Sequence, residues 1–97
     1  MAKKRKNKSN EPEFNPLLQA TYLEIVDNQL RQNDPPEARQ TYERLIAEGE
    51  SDRSARLLIG SAIAYETYKV LATQTEYDLK RYIRHLNMLP DQSFIDD

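Results

Sequence analysis

The chain has 97 residues, no cysteine and a nearly balanced charge, with 14 Lys and Arg against 16 Asp and Glu. That length fits one small domain, and the missing thiols exclude disulfide staples and thiolate metal sites. No apolar run approaches the roughly 18 residues a membrane helix needs, and the first residues lack the apolar segment of a signal peptide, so a soluble, cytoplasmic protein is expected.

The charge is segregated along the chain. Lys3, Lys4, Arg5, Lys6 and Lys8 carry five of the basic residues, which leaves nine against all 16 acidic ones over the remainder. Residues 1–14 hold almost nothing that burial would reward and read as a disordered basic tail. Its five cations are candidate phosphate contacts for weak attachment to nucleic acid or the ribosome, salt-sensitive and indifferent to sequence. No aromatic is interleaved among them to stack on bases, and the plainer alternative is a solubilising tail.

From Asn15 the pattern turns helical. Asn15 and Pro16 form a helix start, the asparagine accepting from exposed first-turn amides and the proline losing nothing at the first position. The first helix runs to about Gln32 on an apolar arc of Leu18, Tyr22, Leu23, Ile25, Val26 and Leu30, with Gln19 and Gln29 inside that arc. Asp34 and Glu37 have capping-box spacing around Pro35 and Pro36, which start a second helix with Ala38, Tyr42, Leu45 and Ile46 on one side and Gly49 at its end.

Ser51 to Thr73 is the spine of the chain. One face gathers Ala55, Leu58, Ile59, Ala62, Ile63, Tyr65 and Val70, and the other Leu57, Gly60, Ser61, Ala64, Tyr68 and Leu71. A helix apolar around nearly its whole circumference must be covered on more than one side. Thr75 with Asp78 three residues later opens a fourth helix with Leu79, Tyr82, Ile83, Leu86 and Leu89, and Pro90 closes it. The segment 91–97 is a loose acidic tail whose Phe94 and Ile95 are able to dock on the core. With two glycines and no Asn-Gly or Asp-Gly turn, the expected class is all-α: a compact four-helix bundle-like domain over 15–90, its long third helix central and its termini disordered.

Glu66 interrupts the core face of the spine. An ionised carboxylate there has to be paired, neutralised or placed near an opening. The expectation is a buried polar cluster of Glu66 with Gln19, Gln29 and a tyrosine hydroxyl; the functional alternative is a ligand or acid–base group in a pocket between the first and third helices. Lys69 stands where a di-iron Glu-x-x-His pair requires histidine, and His85 falls off the fourth apolar face, beside Arg81 and Arg84 on the surface. No serine or cysteine elbow accompanies it. No catalytic residue, metal or cofactor is assigned, and the chain does not read as an enzyme.

Tyr68 and Tyr77 lie off the core faces, where tyrosines favour interfaces. Leu57, Gly60, Ala64, Tyr68 and Leu71 therefore form the candidate surface for a protein partner or a homodimer, unless the other helices wrap the spine completely. The primary functional expectation is an interaction or adaptor module; the alternative is nucleic-acid or ribosome association through the tail.

Over about residues 15–86 the chain resembles the bacterial domain-of-unknown-function family 1841. The resemblance is carried by Asn15, Pro16, Leu17 and Leu18, by Gln29 and Leu30, by Asp34, Pro35 and Pro36, by Tyr65 and Glu66, and by Asp78 and Tyr82. It implies a bacterial, cytoplasmic, all-helical protein and brings no mechanism. The family pattern has first-helix histidines about where this chain has Gln19 and Leu23, so a metal role would not carry over. A looser similarity to tetratricopeptide-type helix pairs, through Ala38, Tyr42, Leu45, Gly49, Ala55 and Leu58, covers one repeat where a solenoid needs about three.

Overall fold

The computed structural model describes residues 16–96 as four α-helices without a strand: α1 (Pro16–Gln32), α2 (Pro36–Ala47), α3 (Asp52–Thr73) and α4 (Leu79–Met88), followed by a 3-10 turn over Ser93–Asp96. The basic tail with Lys3, Lys4, Arg5, Lys6 and Lys8, and the Asn15 cap, lie outside the described residues. The helices form a compact all-α bundle in which α3 packs against α1, α2 and α4.

Helix ends follow local rules, with two corrections to the sequence reading. At the first junction Asp34 caps nothing: α2 begins after Pro35, which has extended dihedrals and no side-chain cap bond. The Asp34 amide instead donates to Gln29 O at 3.0 Å, and Asn33 N donates to Leu30 O with Asn33 left-handed at φ 53. These two bonds close α1 as a Schellman motif with asparagine in the glycine position, so Asp34 is spent on the end of α1 rather than the start of α2. Gly49, at φ 105, closes α2 in the same way, with its amide on Ile46 O and the Glu50 amide on Leu45 O. Ser51 Oγ caps α3 by accepting from Ser54 N at 3.0 Å. The second correction is at α4, where Asp78 alone is the cap, accepting from Arg81 N at 3.0 Å, and Thr75 is taken by Thr73. The helix starts at Leu79, which is exposed rather than part of the apolar face.

Every helix contributes to the core. Val26, Leu45, Ile59, Ala62, Tyr82, Leu86 and Leu89 are among its buried members, each large aliphatic one giving about 1.5–3 kcal/mol of transfer free energy. Two polar clasps stitch α4 to α1 and α2. The Tyr82 hydroxyl donates to Gln29 Oε1 of α1 at 2.6 Å, and Arg44 of α2 donates to the carbonyls of Leu86 at 3.0 Å and Leu89 at 2.8 Å. A guanidinium at a helix C-terminus satisfies orphan carbonyls and complements the dipole. Past Pro90 the chain doubles back and buries Phe94, so the C-terminal segment is anchored to the body and not loose; Ile95 stays exposed.

Candidate functional site

Glu66 is 1% exposed, on the inner face of α3. Its carboxylate is gripped by Arg81 of α4, Nε to Oε2 at 2.7 Å and Nη2 to Oε1 at 3.0 Å. The fork geometry occupies both oxygens and supplies the counter-charge that burial demands. The expected cluster is therefore corrected: Gln29 serves Tyr82, Gln19 lines a groove on the other side of α3, and the partner of Glu66 is an arginine. The pairing raises the Arg81 pKa, chiefly through the hydrogen bond to Glu66.

His85 is likewise not the surface residue its wheel position suggested. It is buried, stacked on Phe94 with ring centroids 4.3 Å apart and planes 6° from parallel, and edge-on to Tyr65 at 5.0 Å. Its Nδ1 lies 4.0 Å from Glu66 Oε2. Tyr65 also meets Phe94 edge-on at 5.8 Å and holds Lys69 Nζ over its outer face at 5.7 Å from the centroid. The physical reason for the misreading is the returning 3-10 turn, which builds a roof over a position that α4 alone leaves at the edge of its apolar stripe. Among the described residues no group of three or more His, Asp or Glu side chains is arranged to hold a metal ion.

Among the described residues, two surface grooves stand out, and neither is lined by Glu66, Arg81 or His85. The first, about 710 Å³, lies between α1, α2 and the start of α3 and is a mesh of opposite charges. Tyr42 Oη donates to Asp52 at 2.6 Å, and Arg56 bonds both Asp52 at 2.9 Å and Asp27. The hydrogen bond from Tyr42 and that from Arg56 hold the Asp52 carboxyl below its usual range, and the same bond to Asp52 raises Tyr42. Each acid there already has its donor.

The second groove, about 830 Å³, is apolar and runs along the outer face of α3. Leu57, Gly60, Ser61 and Ala64 lie in it, with Tyr22 and Leu23 of α1 on one side and Ile95 on the other. Four members of the sequence-derived surface are thus brought together, Leu57, Gly60, Ala64 and Tyr68, whereas Leu71 stands beyond the groove at 73% exposure. Gly60 is itself buried, and a Cβ placed on it would meet Tyr22 Cβ at 3.7 Å and Val26 Cγ2 at 3.8 Å. It is where α1 crosses α3. Tyr68 is 62% exposed at the groove's end. Arg53 lines both grooves and is absent from the surface expected from the sequence; it sits on the Leu57–Ala64–Leu71 line of α3, the spacing that points to it.

Compared with protein-family models, curated proteins and solved structures, the chain finds no match. No helix among the described residues is long and apolar enough to cross a membrane.

Proposed function

We propose that this chain is a small helical interaction module of the bacterial cytoplasm, without enzymatic activity, that docks a protein through the outer face of α3. The observation that carries the reading is the second groove: a floor of small and apolar side chains ending in Tyr68, 62% exposed, with Leu71, 73% exposed, just beyond it. Large exposed apolar groups beside a concave apolar surface mark binding sites, and tyrosine supplies contact area at low entropic cost. The saturated Glu66–Arg81 pair favours a structural role for the buried carboxylate over acid–base chemistry. Kinship with the domain-of-unknown-function family 1841 is part of the same proposal and rests on the quoted motifs alone.

The test is a benzophenone amino acid at position 68, irradiated in cells of the source organism. The expected outcome is a discrete adduct from position 68 and none from position 48, on exposed Glu48 of α2. Equal labelling at both positions, or none at 68, sinks the reading.

The second reading, nucleic-acid attachment, is favoured by the clustering of five cations before an acidic body. Fluorescence anisotropy with mixed RNA, on the intact chain and on one lacking residues 1–9, separates the two. Tail binding weakens steeply with salt, whereas an apolar groove tolerates it.

A further inference from the structure

The apolar groove on the outer face of α3 is free of acid on an acidic body, and from this we infer that it takes an amphipathic helical segment of a partner protein, whose apolar stripe ends in a carboxylate that Arg53 receives. This rests on the docking reading above and names the chemistry of its occupant.

Outside the five tail cations the chain carries 16 acidic residues against nine basic ones. Yet among the described residues the one charged side chain lining this groove is Arg53. The acids it meets in the first groove are already engaged: Asp52 by Tyr42 and Arg56, Asp27 by Arg56, and Glu43 by Arg39. Arg53 itself is exposed and belongs to none of the ion pairs among the described residues. A guanidinium left over beside an apolar surface is complementary to an acid that arrives with apolar neighbours. The same charge argues against the chain's own first residues as the occupant, because Lys3, Lys4, Arg5, Lys6 and Lys8 would meet a like charge there and find no acid.

The walls select the form of the segment. α1 and α3 spend their backbone amides and carbonyls within their own helices, so an extended peptide laid along them would find no ladder of free donors and acceptors to pair with. A helix satisfies its own backbone and offers only side chains, the mode in which apolar anchors at three- and four-residue spacing enter a groove. From Ser54 to Tyr68 the groove follows α3 for roughly 21 Å at about 1.5 Å per residue, room for a partner helix of about four turns. Tyr68 stands at one end of that length and Arg53 at the other, which fixes where the apolar stripe lies and where the carboxylate falls.

Selection of displayed random peptides, about four helical turns long, against the full chain tests this. Enriched sequences should carry apolar residues at three- and four-residue spacing with Asp or Glu at one end. A synthetic peptide of the enriched sequence should bind Arg53→Glu about threefold more weakly than the unaltered chain, the scale of a rim ion pair, and its version with Lys at the acidic position should prefer Arg53→Glu. Ala64→Trp, which fills the floor, should abolish binding; helical circular dichroism checks its folding, and if it does not fold the charge exchange at the exposed position 53 decides alone. Acidic peptides held by the basic tail would bind the unaltered chain and both variants alike, and that result overturns the inference. So does enrichment of sequences without helical spacing, of sequences with a basic end, or of none. If position 68 gives its adduct in cells while the peptides fail these tests, the chemistry of the occupant falls and the docking reading stands; with no adduct at 68, both fall.

Discussion

Phe94 lies flat on His85, 4.3 Å between ring centroids, and with Tyr65 edge-on to both it closes an aromatic box against the inner wall of α3. The box joins three parts of the chain that no single helix pattern links: the middle of α3, the last turn of α4 and the terminal 3-10 turn. Beneath it the Glu66–Arg81 pair bridges the same two helices. Aromatic roof and ionic floor together fix α4 on the inner face of α3, which leaves the outer face to the apolar groove.

Replacing Phe94 by Ala should cost about 3 kcal/mol, the lower end for a buried phenylalanine, because a chain end relaxes more freely than a mid-helix site. Phe94→Leu should cost under about 1.5 kcal/mol. Urea denaturation measures both. The single histidine offers a local readout: its ring proton resonances, shifted by the stacked ring, should move toward random-coil positions in Phe94→Ala well below the unfolding midpoint.

Removing Arg81 leaves a carboxylate buried with its two hydrogen bonds gone. Arg81→Met should therefore destabilise by about 3 kcal/mol, held to the low end of the range for broken buried pairs because Arg81 is itself partly exposed. Glu66→Leu/Arg81→Met should recover most of that loss, since apolar replacements of buried ion pairs are often neutral or better. A double variant as unstable as Arg81→Met would show that the pair contributes more than charge neutralisation.

Arg44 is the C-terminal clasp of α4, and its two backbone contacts are to carbonyls 42 and 45 residues away in sequence. Arg44→Met should cost about 2 kcal/mol, within the range for hydrogen bonds to charged groups. Arg44→Lys should recover only part, because an ammonium cannot present two parallel donors. Amide hydrogen exchange should speed up most at Leu86 to Asp91 if the clasp is what holds that end.

What was legible in the sequence was whatever is decided locally. The bounds of α3 follow from the Ser51 hydroxyl and from apolar residues recurring around most of the helix's circumference, and Gly49 marks the end of α2 through its positive φ. Asp34 departs from its capping-box spacing because the competing use, closing α1 onto the Gln29 carbonyl, employs the backbone, which every residue shares. Of the candidate site, Glu66 was conspicuous as a charge on an apolar face, but its partner was not, since a long arginine reaching across helices leaves no periodic trace. His85 was hidden for a related reason: its roof comes from beyond Pro90, and a helical wheel ends where the helix does.

Alkaline pH should unfold the protein through its tyrosines. Partial burial, with Glu66 and Asp34 adding negative charge nearby, pushes Tyr77 up to about 12, and burial raises Tyr82 further while its bond to Gln29 works the other way. A phenol whose folded pKa exceeds its unfolded value near 10 contributes stability that is intact below about pH 10 and is lost as the pH rises through the folded pKa. Absorbance at 295 nm should show a late fraction of the six tyrosines titrating together with loss of helical circular dichroism. Tyr82→Phe should remove part of that late fraction.

The two glycines should respond in opposite directions to alanine. At Gly60 a new Cβ would sit 3.7 Å from Tyr22 Cβ and 3.8 Å from Val26 Cγ2, ordinary contact distances, in the middle of a long helix. Helix propensity then decides the sign, and Gly60→Ala should stabilise by about 0.5–1 kcal/mol. At Gly49 nothing stands within 4 Å, yet φ is 105, a conformation that penalises any Cβ through its own backbone. Gly49→Ala should destabilise by about 1 kcal/mol or more. Thermal melts of the two variants measure both. Destabilisation at Gly60 would mean that α1 and α3 cross more tightly than these distances allow, and would move that glycine from a tolerated gap to a required one.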